Sequence, residues 1–198
     1  DLHSLQHSFP TRRSSDLHYC TAARDAVRKA IGREDVDVHF LVGGTQANAT
    51  VISSILRPYQ GVLCASSGHI NVHETGAIEH SGHKVLTLES PDGLLDAERI
   101  REAVMAHMAE DGPEHMVQPG MVYISFSSET GTVYSLEQLR RIHDVCHEYG
   151  LPLFIDGARM GYGLASEGCD VTLSDIASLA DVFFLGCSKQ GAFFGEVV

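Results

Sequence analysis

The chain has 198 residues, 43% of them hydrophobic, enough for one ordinary domain or a large part of a bigger one. Against 14 basic residues stand 26 acidic ones, a formal net charge of −12 that repels phosphate backbones and anionic membranes and argues against nucleic acid or membrane partners. Five scattered cysteines with no CxxC, and no apolar run near the roughly 18 residues of a membrane span, fit a reducing cytoplasm.

Residues 1–17, "DLHSLQHSFPTRRSSDL", have neither helical nor strand period, and "SFPTRRSSDL" resembles a translated sequencing adapter; they are set aside as a non-native or disordered leader. The spacing of Ala23, Val27 and Ala30 predicts a helix over 19–31, closed by Gly32. A strand is predicted over 36–42, a helix over 45–56 stopped by Arg57-Pro58, a strand over 61–66 and a short helix in "SGHINVHETGAIEH". A strand over 84–90 is followed by an amphipathic helix over 95–111, with Ile100, Val104 and Met108 on one face. After a strand over 121–126, Ser135 and Gln138 form a capping box for a helix Leu136–Tyr149 that Gly150 ends. A strand over 153–155, a helix Leu173–Leu179 and a strand over 181–187 complete the alternation. Such alternation predicts an α/β fold, a largely parallel sheet with helices on both faces, whose ligands bind beyond the carboxyl ends of the strands.

Four strand ends carry polar groups. "GGTQAN" (43–48) runs a glycine pair and a threonine into a helix, which suits a phosphate, although such a turn is often only a turn. It is neither a P-loop nor a GxGxxG dinucleotide fingerprint. "SSGH" ends the second strand at His69. "LPLFIDGARMG" delivers Asp156 and Arg159 at the tip of an apolar strand, either as a structural ion pair or as a carboxylate for a heteroaromatic nitrogen. "FFLGCSKQGAFFG" surrounds Lys189 with apolar residues and glycines; if buried there, its amine is poised for covalent chemistry with an aldehyde, and otherwise it is a surface lysine. A phosphate nest, a lysine and a strand-end carboxylate are together the requirements of pyridoxal phosphate.

From about residue 19 to 198 the chain resembles the threonine aldolases, the low-specificity L-threonine aldolase and aromatic amino acid β-eliminating lyase family of fold type I pyridoxal-phosphate enzymes. The motifs that carry the resemblance, in order, are "GGTQAN", "GHINVHETGAIE", "SSETGTVYSLEQLRRIHDVCHEYGLPLFIDGARMG", "LSDIASLADVFF" and "LGCSKQGAFFGE". It implies a three-layer α/β/α large domain with a mostly parallel mixed sheet, here spanning 18–198 and cut before the small C-terminal domain. It further implies that Gly44 and Thr45, with the following helix N-terminus, bind the cofactor phosphate, to which Ser188, read from its place beside Lys189, would add a contact. By the same resemblance His69 stacks on the ring and takes part in proton transfer, and Glu74 lies near the substrate's β-hydroxyl. Asp156 would pair with the pyridine nitrogen, Arg159 would lie near the substrate carboxylate or the cofactor 3′-oxygen, and Lys189 would bond to the cofactor aldehyde. Glu129 and Thr130 are weaker neighbours of the cofactor. The implied activity is cleavage of a β-hydroxy-α-amino acid of the threonine type to glycine and an aldehyde, by a homodimer or homotetramer.

Metal-dependent hydrolysis is the reading from another class. His69, His73, His80 and His83 cluster within 15 residues, but "HETGA" lacks the second histidine of HExxH and no cysteine pair assists, so no metal is expected. No GxSxG is present for a serine hydrolase. Within the pyridoxal fold, a β-eliminating lyase or a hydroxymethyltransferase-like enzyme shares Asp156 and Lys189, and an inactive cofactor-binding fragment is a further alternative.

Overall fold

The computed structural model describes residues 14–193 and 195–198, which fall into two compact units, the residues up to Val38 and His39–Val198. In the first unit helix α1 (Ser14–Ile31) starts five residues before the predicted helix, inside the segment set aside as a leader; residues 1–13 lie outside the described residues. Arg24 and Arg28 donate from Nε to the carbonyls of Val38 and Val36 at 3.0 and 3.1 Å, so the segment after Gly32 folds back along the helix.

The second unit opens with strand β1 (Phe40–Leu41), helix α2 (Gly44–Ile55) and strand β2 (Gln60–Ala65). The short helix expected after β2 is two, α3 (His69–Val72) and α4 (Ala77–His80), joined by a left-handed turn at Glu74 and Thr75. Then come β3 (Val85–Leu88), α5 (Ala97–Met108), β4 (Gln118–Ser125) and α6 (Leu136–Tyr149), the last opened by the predicted Ser135–Gln138 capping box. The chain ends with β5 (Leu153–Asp156), α7 (Met160–Leu164), α8 (Leu173–Leu179), β6 (Val182–Phe183), β7 (Leu185–Gly186) and β8 (Glu196–Val197).

Five strands form a parallel sheet in the order β3-β2-β4-β5-β6, and β1-β8-β7 form a small antiparallel one. Strand side chains alternate between faces, and the burial follows that period. Leu63, Val122, Ile124, Leu153 and Ile155 enter one core with Ile100 and Val104 of α5, Leu139 and Ile142 of α6 and Ile176 of α8. Val62, Cys64, Met121, Tyr123 and Phe154 enter the other, with Ala47, Val51 and Ile52 of α2, Ile70, Ile78 and Phe184. Both faces being covered, the strands read as continuous apolar runs and the unit has three layers, α/β/α.

Three element predictions are corrected. The strand expected over 36–42 contracts to Phe40–Leu41, in register with Val197 and Glu196. The strand expected over 181–187 splits at Phe184, whose ring turns into the α2-side core while the chain passes from β5 to β8. Met108 is exposed, so the buried stripe of α5 is Ala97, Ile100 and Val104. Among the described residues no helix is long and apolar enough to cross a membrane.

Candidate active site

Asp156 follows Phe154 by two residues and so projects from the same sheet face, toward α2. It is 4% exposed and collects three donors: Tyr123 Oη at 2.5 Å and Asn48 Nδ2 at 3.0 Å on Oδ2, and the Ala158 N–H at 2.9 Å on Oδ1. Burial, reinforced by the negative charge of Asp156, raises the Tyr123 pKa well above the ordinary tyrosine value, so the phenol stays protonated and donating. Asn48 belongs to the stripe Ala47, Asn48, Val51 and Ile52 that α2 buries against the sheet.

A second carboxylate sits beside the first. Glu74 and Thr75 have φ of 60° and 52°, a region costly for non-glycine residues. This turn brings the Glu74 carboxylate, fully buried, back against α3 and α2. Its Oε1 meets His69 Nδ1 at 2.7 Å and Asn48 Nδ2 at 2.7 Å. Where the carboxylate accepts, the Nδ1 proton belongs to His69 and Nε2 is the ring's acceptor nitrogen. Among the described residues, Glu74 Oε2, Asn48 Oδ1 and Ser67 Oγ are buried with no hydrogen-bond partner.

Gly44 and Thr45 are the first two residues of the 12-residue helix α2, entered from an extended Gly43, and the first N–H groups of a helix have no partner within it. Lys189 and Ser188 lie in the single turn 188–190 after β7, and both are exposed. Of the two readings left open for Lys189, its position is that of an exposed lysine: the apolar neighbour that enters the core is Phe184, and Phe193 is exposed. The turn is anchored instead by polar contacts. Ser188 Oγ donates to Glu196 Oε1 at 3.1 Å, the Cys187 N–H to Glu196 Oε2 at 3.0 Å, Gln190 Nε2 to the Gly186 carbonyl at 2.5 Å, and Tyr162 Oη to the Lys189 carbonyl.

Two glycines bring this turn against the one carrying Asp156. The Gly186 N–H donates to the Gly157 carbonyl at 2.9 Å. A Cβ on Gly157 would stand 1.8 Å from the Phe184 carbonyl oxygen, and one on Gly186 would stand 2.5 Å from Ala158 Cα. Asp156 and Lys189 are thereby one and three residues from a shared backbone contact. Arg159, half-buried at the start of α7, forms no ion pair with Asp156 among the described residues, so the structural-pair alternative is not realised. Glu129 accepts from Ser125 Oγ at 2.7 Å and lines a hollow with Ala65, Gly68, Tyr123 and Ser125. Thr130 donates to the Asp92 carbonyl at 2.7 Å, a loop-tying contact. Among the described residues no three His, Cys, Asp or Glu side chains gather as metal ligands, and His83 turns its Nδ1 to the Gln60 carbonyl at 3.1 Å.

The structure gathers the sequence candidates His69, Glu74 and Asp156 into one network; Asn48, which links them, and Tyr123, which donates to Asp156, are not among those candidates. The available signal was a polar residue on the apolar stripe of α2.

The model of the beta-eliminating lyase family matches residues 16–196, and the chain belongs to that family. Its relatives include the low specificity L-threonine aldolase of Pseudomonas sp. (strain NCIMB 10558), 33% identical over 94% of this chain and 53% of that protein. The low specificity L-threonine aldolase of Saccharomyces cerevisiae is 31% identical over 80% of this chain and 41% of its own length. Among solved structures, Leishmania major threonine aldolase superposes with a TM-score of 0.86 at 46% identity, over 90% of this chain and 51% of that one. Thermus thermophilus aspartate aminotransferase, at 20% identity and a TM-score of 0.65, shares the fold. The chain spans about half the length of the curated Pseudomonas relatives it matches.

Proposed function

We propose that the protein is a pyridoxal-phosphate-dependent aldolase that cleaves β-hydroxy-α-amino acids of the threonine type to glycine and an aldehyde. The observation that carries this reading is the surroundings of Asp156: a buried carboxylate with three neutral donors and, among the described residues, no cation. A buried charge calls for an opposite charge, and a carboxylate has acceptor sites beyond three. A protonated ring nitrogen answers both demands, so the residues present fit the cofactor. The threonine aldolase relatives supply the substrate class.

Bound pyridoxal phosphate supplies an electron sink for the pair left when the Cα–Cβ bond breaks. The protein's own groups do the rest. Asp156 holds the proton on the ring nitrogen, and Tyr123, Asn48 and the Ala158 N–H keep that carboxylate aimed. Gly44, Thr45 and Ser188 would hold the phosphate, and Lys189 is the amine that would hold the aldehyde carbon. His69 would lie against the ring and accept the β-hydroxyl proton at Nε2, with Glu74 fixing the imidazole through Nδ1. Arg159 faces the substrate carboxylate. With threonine, the atoms leave as glycine and acetaldehyde. Within this reading residues 18–198 are part of the cofactor-binding large domain of a cytoplasmic homodimer or homotetramer.

The test is product analysis. With pyridoxal phosphate and threonine the protein is expected to release glycine and acetaldehyde in equal amounts. Release of 2-oxobutyrate and ammonia would assign it to β-elimination instead.

A further inference from the structure

Asn48 is completely buried and spends both hydrogens of its side-chain amide on carboxylates, one on Glu74 Oε1 at 2.7 Å and one on Asp156 Oδ2 at 3.0 Å. These partners come from segments 26 and 108 residues away. We propose that Asn48 is a positioning residue that yokes the Glu74–His69 pair to Asp156, so that the proton-accepting side of the site and the ring-holding side keep one fixed relation. The last part of that statement rests on the aldolase reading; the yoke itself does not.

The chemistry explains the choice of residue. Two carboxylates side by side need donors, and a lysine or arginine between them would add a charge that competes with the ring nitrogen for Asp156. A primary amide gives two donors about 120° apart, carries no charge and does not titrate. The titratable groups facing this pair are Tyr123 and, through Ser125, Glu129 from the β4 side, and His69 and His73, whose rings lie 5.0 Å apart, on and beside α3. Among the described residues the amide is the link that touches both carboxylates. The left-handed backbone at Glu74 and Thr75 agrees with this: a strained turn persists only where its surroundings hold it, and the Asn48 and His69 contacts to Oε1 are what hold the side chain.

Shape and donation are separated by variants made in the unliganded protein and read by urea unfolding. Asn48→Asp keeps the volume but replaces donors by a third carboxylate, so its unfolding midpoint should fall further than that of Asn48→Ala. A merely space-filling role would reverse that order and overturn the proposal. The Asn48→Asp/Glu74→Gln double variant restores one donor–acceptor pair with the roles exchanged, and is expected to recover about half of the loss caused by Asn48→Asp. No recovery in the double variant, its failure to fold included, would overturn the yoke. In the cofactor-loaded enzyme Asn48→Ala should lower kcat about tenfold or more with KM changed less than about threefold; an unchanged kcat would sink the positioning role. If the unaltered protein does not cleave threonine, the aldolase reading fails while the unfolding comparison still decides the yoke.

Discussion

The centre of the site is a carboxylate whose environment is built before any ligand arrives. Asp156 is buried because it shares with Phe154 the covered α2 face of the sheet, and Tyr123, Asn48 and a backbone N–H donate to it. Tyr123→Phe preserves the ring but removes the 2.5 Å donor, and a hydrogen bond to a charged group contributes about 1.5–3 kcal/mol. That loss is expected in urea unfolding, together with a fall in kcat, because the carboxylate loses one of its three restraints; an unchanged midpoint would show that the contact carries no stability. At this scale the sequence was partly legible. Asp156 and His69 stood out because titratable residues at the ends of apolar strands lack a packing rationale, while Glu74 came only with the family resemblance. Tyr123 sat in "MVYISF", where a tyrosine is indistinguishable from core, and Asn48 acquires its meaning only from partners far along the chain. The side on which Lys189 lies was not legible, because apolar neighbours in sequence need not share a side: Phe184 goes inward while the lysine turn stays out.

Among the elements, the contact between the β5–α7 turn and β7 decides the geometry, since it fixes how near Lys189 can come to Asp156. Gly157 lies against the Phe184 carbonyl, a backbone atom that cannot swing aside. Gly157→Ala is therefore expected to cost at least about 1–3 kcal/mol, as overpacking does, and to lower cofactor affinity measured by absorbance titration. Ser135→Ala is the matched control: losing the cap of α6 should cost about 1 kcal/mol and leave kcat unchanged, because that helix packs on the opposite face of the sheet. A kcat loss in Ser135→Ala equal to that of Gly157→Ala would dissolve the distinction. Helices α6 and α8, each opened by a capping box, were read to the residue, because their ends are chemically marked. The two-residue strands β1, β6 and β7 were not, since their limits depend on where a partner strand begins and ends.

Across the whole molecule, two cores on the faces of one parallel sheet explain both the strand–helix alternation and the apolar strands that made the α/β class legible from sequence. Each core encloses one thiol. Burial pushes Cys64 and Cys146 up to about 12 from the usual 9.0, with nearby carboxylates adding to the rise. A folded-state pKa above the unfolded one gives stability that is complete below about pH 9 and is lost as pH rises toward 12, because the unfolded chain sheds protons that the folded one retains. Urea midpoints are expected to be flat in that respect near neutrality and to decline above pH 9, and Cys146→Ala should flatten the decline while lowering the plateau. The most direct test of the account lies elsewhere. The chain has three lysines, Lys29, Lys84 and Lys189. Incubation with pyridoxal phosphate, borohydride reduction and peptide mass mapping should find the added pyridoxyl group on Lys189, with labelling lost in Lys189→Ala; a label on Lys29 or Lys84, or none at all, would contradict it.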